Sequence, residues 1–139
     1  MTRRERLMAT LTGKPATCSP GSTNPELAVD GEIGDTDSFW QCDKPGSWWQ
    51  VDLGAVKEIS SLRVIPYYGR TNRYCQFVVK TSQDGKNWIT YLDMSQNTKN
   101  LGVEGASYTG QPTPVRYIRV EMLKNSANQW MQLVEVIVK

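Results

Sequence analysis

From Pro15 to the end of the chain, no stretch keeps a helical hydrophobic period over three turns. Short runs of β-branched and aromatic residues alternate instead with clusters of Gly, Pro, Asn and Asp, the pattern of strands joined by turns. The runs predict strands over residues 16–19, 48–53, 58–67, 74–82, 88–93, 115–122 and 131–139. Seven or eight antiparallel strands in one domain's worth of chain, 139 residues, fold as a sandwich or a barrel. The sharpest local signal is Thr81-Ser82-Gln83-Asp84-Gly85-Lys86-Asn87-Trp88. There Asp-Gly supplies the positive φ angles of a tight turn between two β runs, predicting a hairpin. In Trp48-Trp49-Gln50-Val51-Asp52-Leu53-Gly54 the alternation sends Trp49, Val51 and Leu53 to one face and Trp48, Gln50 and Asp52 to the other.

Ahead of this body, Thr2 and Glu5 form a capping box, and Gly13 followed by Lys14-Pro15 is a stop signal. Residues 1–13 therefore read as a short helical extension and 14–139 as the domain. Leu7 to Leu11 is too short, and is interrupted by Thr10, for a secretory signal. No run approaches the ~18 apolar residues of a membrane-spanning helix.

The chain contains no histidine, which excludes a Ser-His-Asp triad, a Cys-His pair, a histidine general base and an H-E-x-x-H zinc site. Arg3, Arg4, Arg6 and Lys14 against Glu5 carry +3 of the +2 total, leaving 12 basic and 13 acidic groups on the other 125 residues. A body without excess positive charge is not a nucleic-acid binder. Glu26, Asp30, Glu32, Asp35, Asp37 and Asp43 precede the next cation, Lys44. Such a run is either a solvated acidic loop or the lining of a cation site. Cys18, Cys42 and Cys75 show no C-x-x-C spacing; Cys75 reads as a small core residue, and Cys18 with Cys42 as a candidate bridge in an oxidising compartment.

Six motifs in order resemble the discoidin domain, also called the coagulation factor 5/8 type C domain, and within it the family 32 carbohydrate-binding modules. They are Gly13-Lys14-Pro15-Ala16-Thr17-Cys18-Ser19, Ala28-Val29-Asp30-Gly31 with Phe39-Trp40, the Trp48 to Gly54 and Thr81 to Trp88 segments, Val115-Arg116-Tyr117-Ile118-Arg119-Val120, and Leu133-Val134-Glu135-Val136. The resemblance implies an all-β fold: an eight-stranded antiparallel jelly-roll-like β-sandwich of the galactose-binding-domain kind, here with a short N-terminal helix. It also implies an extracellular or cell-surface setting and a larger parent polypeptide or enzyme.

Members of this family hold a structural Ca2+ between the acidic loop before Phe-Trp and a glutamate on the last strand. Carried over, the side-chain ligands are Asp30, Asp35, Ser38 and Glu135, with carbonyls such as those of Leu27 and Val134, in a loop longer than the family's usual one. Oxygen donors of this kind suit a hard cation that takes six to eight of them. Relatives that bind galactose-like sugars use an arginine and an asparagine from the connection matched here by residues 66–74. A sugar offers a weakly apolar C–H face and a rim of hydroxyls, so a flat ring beside planar, multi-donor side chains can grip it. The candidates are Arg70 and Asn72, then Arg73, with Tyr68 in the same loop. Trp130, before the last strand, and Gln41, in the 41–47 segment, supply the rest. Trp130 is equally a cap on the core, while Trp40, Trp49 and Trp88 are expected in it. The histidine common in galactose-binding relatives is missing; Gln41 or Lys44 is its candidate replacement.

The reading this supports is a noncatalytic carbohydrate-binding module whose partner is a glycan, for which the resemblance implies a galactose-like class. A packing or interaction domain of a larger enzyme without its own ligand is the alternative. An adhesion or phospholipid-binding role ranks lower, and membrane contact is not expected, because the tips Lys44-Pro45-Gly46 and Gly69-Arg70-Thr71 lack paired Leu or Phe. Catalysis is not expected, since nothing in the sequence brings Asp93, Glu104 and Glu121 together.

Overall fold

The computed structural model describes residues 11–22, 24–34, 38–69 and 72–139. Its strands are β1 (Ala16–Cys18), β2 (Trp40–Cys42), β3 (Trp48–Pro66), β4 (Cys75–Ser82), β5 (Trp88–Met94), β6 (Ala106–Asn125) and β7 (Met131–Val138), with 3-10 turns at Pro25–Val29 and Gly102–Glu104. Every pairing is antiparallel. The fold is the expected all-β sandwich, with seven strands among the described residues where eight were expected.

Two long strands build it. β3 and β6 pair along both halves, with the register broken between Asp52 and Lys57. Their first shared half continues through β1 on one side and β4 and β5 on the other. In the second half, β3 pairs with β7, and β7 with β2. The sequence puts a break between strands at 54–57, but the chain runs on. Gly54 takes φ 87 and donates its N–H to Asp52 Oδ1 at 2.8 Å, which bends the strand without reversing it. β6 likewise begins at Ala106, well before the expected Val115, and passes through Pro114, paired with Glu58. β2 is a strand the sequence did not announce.

The core lies between the two halves. Trp49, Val51 and Leu53 point into it as the alternation predicts, meeting Phe77, Val79, Ile118, Val120, Met122, Leu133 and Val136. Trp40 and Trp49 are fully buried, and the Trp49 indole donates to the Pro25 carbonyl at 2.8 Å. Each buried side chain of this size contributes about 1.5–3 kcal/mol relative to exposure. Trp88 is not core: it lies half-buried on the outer face, where the Arg119 guanidinium sits 4.8 Å from its ring and 4.3 Å from that of Trp48. Gln50 accepts from Arg119 Nε at 2.9 Å, so Trp48, Gln50 and Arg119 form one outer row.

The hairpin between β4 and β5 forms as expected, with Ser82 opposite Trp88 and Gly85 at φ 77. Asp84 Oδ1 accepts the amides of Lys86 and Asn87, both at 2.8 Å. The expected helix over 1–13 falls mostly outside the described residues. Of its described part, residues 11–13 form a turn, and Leu11 packs into the core at 2% exposure. All three cysteines are free, so the candidate Cys18–Cys42 bridge is not formed. Cys75 packs as a core residue, and burial pushes its thiol up to about 11. Among the described residues, no helix is long and apolar enough to cross a membrane.

Candidate functional site

The start of β7 fixes what gathers at one end of the sandwich. Met131 pairs with Cys42, and Leu133 with both Trp40 and Pro66. Trp130, Gln41 and the 67–74 connection are therefore brought together from three distant parts of the sequence. The amide of Tyr67 donates to the Gln132 carbonyl at 3.3 Å. Tyr74 donates to Ser126 Oγ at 2.9 Å, and the Ser126 amide returns a bond to the Tyr74 carbonyl at 3.0 Å. A fourth segment joins through Asn97, whose amide nitrogen donates to the Cys75 carbonyl at 3.0 Å.

The candidate residues differ in what they do there. Arg70 lies outside the described residues. Asn72 is exposed, and its Oδ1 accepts from Asn100 Nδ2 at 2.9 Å, leaving its own amide nitrogen facing outward without a protein acceptor among the described residues. Arg73 is buried at 9% exposure with its guanidinium 4.9 Å from the Tyr67 ring, which packs on Phe39 at 5.1 Å. Tyr68 donates its hydroxyl to the Ile33 carbonyl and so ties this connection to the acidic loop. Gln41 Oε1 accepts from Gln132 Nε2 at 3.3 Å across the β2–β7 pair.

Trp130 is half-buried, and its backbone is clamped at both ends: its amide donates to Asn128 Oδ1 at 2.9 Å, and its carbonyl accepts from Asn125 Nδ2 at 2.9 Å. Asn125, itself buried, also donates to Asn128 Oδ1 and accepts the Ala127 amide, both at 3.0 Å. Sequence reasoning passed over Asn125, Gln132 and Asn100. An Asn-rich turn before a strand was the available signal for the first, and the other two acquire partners only through pairing of distant segments.

The acidic loop meets β7 at Glu135. This carboxyl is 3% exposed; its Oε2 accepts the Gly31 amide at 2.8 Å, while its Oε1 is buried without a hydrogen-bond partner. Asp30 lies beside it, accepting the Glu32 amide on Oδ1 at 2.9 Å and the Ser38 hydroxyl on Oδ2. Burial pushes the Glu135 carboxyl up to about 8, and the neighbouring Asp30 carboxyl adds to the rise. Three of the four predicted ligands are thus adjacent, and Asp35 lies outside the described residues. Among those residues no set of three acidic, cysteine or histidine side chains is gathered for a metal. Asp93 is spent on the Ser95 amide at 2.9 Å and Glu121 on Lys80 at 3.1 Å, while Glu104 lies in a separate 3-10 turn.

An antiparallel all-β sandwich with this strand order is the fold of the galactose-binding-domain-like modules. The F5/8 type C domain model matches residues 14–136, and the chain belongs to that family. Among solved structures it is similar to the CBM32 of AlyQ in complex with 4,5-unsaturated mannuronic acid: 25% identity, TM-score 0.72, covering 90% of this chain and 93% of that one. It is similar too to the lectin domain of lectinolysin complexed with Lewis B antigen, at 27% identity and TM-score 0.73, covering 94% and 95%. A truncated AlyQ with CBM32 and alginate lyase domains matches at 26% identity and TM-score 0.72, over 89% of this chain but 31% of that one. No curated protein sequence matches.

Proposed function

We propose that this chain is a noncatalytic carbohydrate-binding module that holds a larger parent protein against a glycan through its loop end. The observation that supports the reading is that the segments carrying Asn72, Trp130 and Gln41 meet at one end, tied by the Tyr74–Ser126 bonds, the Gln41–Gln132 bond and the pairing of β2 with β7. Trp130 offers the flat face, Asn72 and Gln41 the planar amides, and Arg73 a buried guanidinium against the Tyr67 ring in the 67–74 connection. Arg70 and Tyr68 belong to the same connection, Arg70 as a further contact and Tyr68 as its tie to the acidic loop. The similar AlyQ module and the lectinolysin lectin domain are each described with a bound sugar, which supports a glycan as the ligand class. A galactose-like preference has no histidine to rest on here, so the amides must carry selectivity. Single-site affinity of such a shallow surface is weak, and several copies on one glycan surface strengthen it.

The calcium reading rests on the unpartnered Glu135 Oε1 beside Asp30: a buried carboxylate oxygen without a donor fits a hard cation. Asp30, Ser38 and Glu135, with Asp35, would hold the ion. When bound it supplies the positive charge that offsets two adjacent carboxylates, and Tyr68 links that loop to the glycan end.

The test is glycan-array screening followed by calorimetric titration. Binding is expected in the wild type and is reduced at least tenfold in Asn72→Ala and Trp130→Ala, each with a far-UV spectrum like the wild type. Absence of binding across a broad saccharide panel, or full affinity in both variants, would count against this function.

A further inference from the structure

The chain after β5, residues 95–101, belongs to no strand, yet side chains fix it in place. Asn97 spends its whole amide on this. Its Nδ2 donates to the Cys75 and Lys99 carbonyls, both at 3.0 Å, and its Oδ1 accepts the Lys99 amide at 3.1 Å. From the other side, Gln76 Nε2 donates to the Asn97 carbonyl at 3.1 Å. Cys75 and Gln76 open β4, so the loop is moored to the strand that the 67–74 connection feeds. Its far end is held by Leu101, which packs against the core and whose carbonyl accepts the Gly105 amide at 3.3 Å. Between the two moorings stand Lys99 and Asn100, both exposed.

Asn100 is where this loop meets the 67–74 connection. Its Nδ2 donates to Asn72 Oδ1 at 2.9 Å, and its Oδ1 accepts the Gly102 amide at 3.2 Å. A side-chain amide carries two N–H donors and two acceptor lone pairs. Both amides therefore keep donors and acceptors for another molecule, with their planes already set by the bond between them. Asn100 also lines a recess of about 10 Å³, formed by Tyr67, Tyr68 and Arg73 from one segment and by Asn100, Leu101 and Gly102 from the other. That is the room of about one water, hence of one hydroxyl. A sugar ring does not fit in it, but a hydroxyl projecting from a ring does. A wall fixed beforehand loses little conformational freedom when the ligand arrives, so its contacts count nearly in full towards affinity.

We propose that residues 95–102 form a further wall of the glycan site. Asn100 contacts the sugar directly and seats one of its hydroxyls in the recess, while Asn72 takes the hydroxyl next to it. Asn97 is the positioning residue that holds Asn100 there. The ligand class at this point is a sugar with two adjacent unsubstituted hydroxyls, read by a pair of neutral amides. The assignment rests on the glycan-binding reading above and extends it to the connection after β5.

The full chain is titrated with the methyl glycosides of galactose, glucose and mannose and with the monodeoxy derivatives of each, followed by the side-chain amide resonances. In the wild type, removing one hydroxyl of an adjacent pair is expected to weaken binding about tenfold and to leave the Asn100 signal in place. Asn100→Ala binds the parent glycoside about tenfold more weakly, yet binds that deoxy derivative as well as the wild type does. Asn97→Ala weakens the parent glycoside to the same extent, and combining it with Asn100→Ala costs nothing more, a coupling that general loosening of the fold does not produce. Losses that add would overturn the positioning role of Asn97. Wild-type affinity in Asn100→Ala, or an equal loss for the parent and every deoxy derivative, would overturn the wall, and shifts at Asn72 and Trp130 would leave the glycan reading standing. No shift at Asn72, Asn100 or Trp130 with any of these glycosides overturns both.

Discussion

Asn125 shows how much a single side chain can arrange. Its amide meets three groups of the turn it opens: Asn128 Oδ1, the Trp130 carbonyl and the Ala127 amide. At 7% exposure, none of these bonds is readily replaced by water. Asn125→Ala leaves a buried carbonyl and an amide without partners, and is expected to cost about 2 kcal/mol in urea unfolding. Because Trp130 hangs from the same turn, its indole signal should shift and glycan affinity should fall, whereas a variant with unchanged Trp130 fluorescence would show that the turn holds itself. Asp84 works by the same logic on charge. Four donors from Ser82, Lys86 and Asn87 converge on its carboxylate and hold it well below the usual carboxylate range, the Asn87 amide contributing most. A folded-state value below the unfolded one means stability present above the unfolded value near pH 4 and lost as pH falls through the folded one. Asp84→Asn should therefore unfold less steeply with acid below pH ~4 than the wild type; identical acid limbs in urea midpoint against pH would show that the turn does not feel this charge.

At the level of the element, β3 is the piece on which the architecture turns. Its bend is made by Gly54 at φ 87, where a Cβ would meet nothing within 4 Å. The cost of a side chain there is therefore backbone conformation alone, and Gly54→Ala should lower stability by about 1–2 kcal/mol without a packing defect. A loss much larger, by equilibrium unfolding, would mean that the two halves of β3 separate. The same residue explains why this strand was hard to see in the sequence. Glycine followed by an exposed segment looks like a terminus, and only pairing with β6 on both sides of the irregularity makes it one strand. The β4–β5 hairpin was legible because its signal is local: Asp84-Gly85 dictates the turn and flanking alternation dictates the register. β2 was not, since three residues become a strand only when β7 lies beside them. The loop end divides similarly. Tyr68, Asn72, Arg73 and Trp130 stood out as residue types in marked loops. The burial of Arg73, by contrast, and the Gln41–Gln132 and Asn72–Asn100 pairs depend on which distant segments meet.

Across the whole molecule, the acidic loop is the strap that connects sandwich and loop end. Gly31 bonds to Glu135 on β7, and Ile33 accepts from Tyr68 in the 67–74 connection. A cation seated between Asp30 and Glu135 would draw both attachments tight, so its effect should reach beyond local charge. With free calcium at about one hundred times its dissociation constant, linkage gives about 2.7 kcal/mol of stabilisation, which in a domain of this size raises the melting temperature by roughly 10 °C. Glu135→Gln should remove that increment. In chelator, however, the same variant should be no less stable than the wild type, because it takes a carboxylate out of a buried position beside Asp30. Scanning calorimetry with and without calcium separates the cases. A wild-type transition indifferent to calcium, or a variant that keeps the shift, would return the loop to a set of solvated carboxylates. If the shift is present, glycan affinity should fall in chelator, and Tyr68→Phe, which cuts the strap without touching the carboxylates, should reproduce that fall while preserving the calcium-dependent rise in melting temperature.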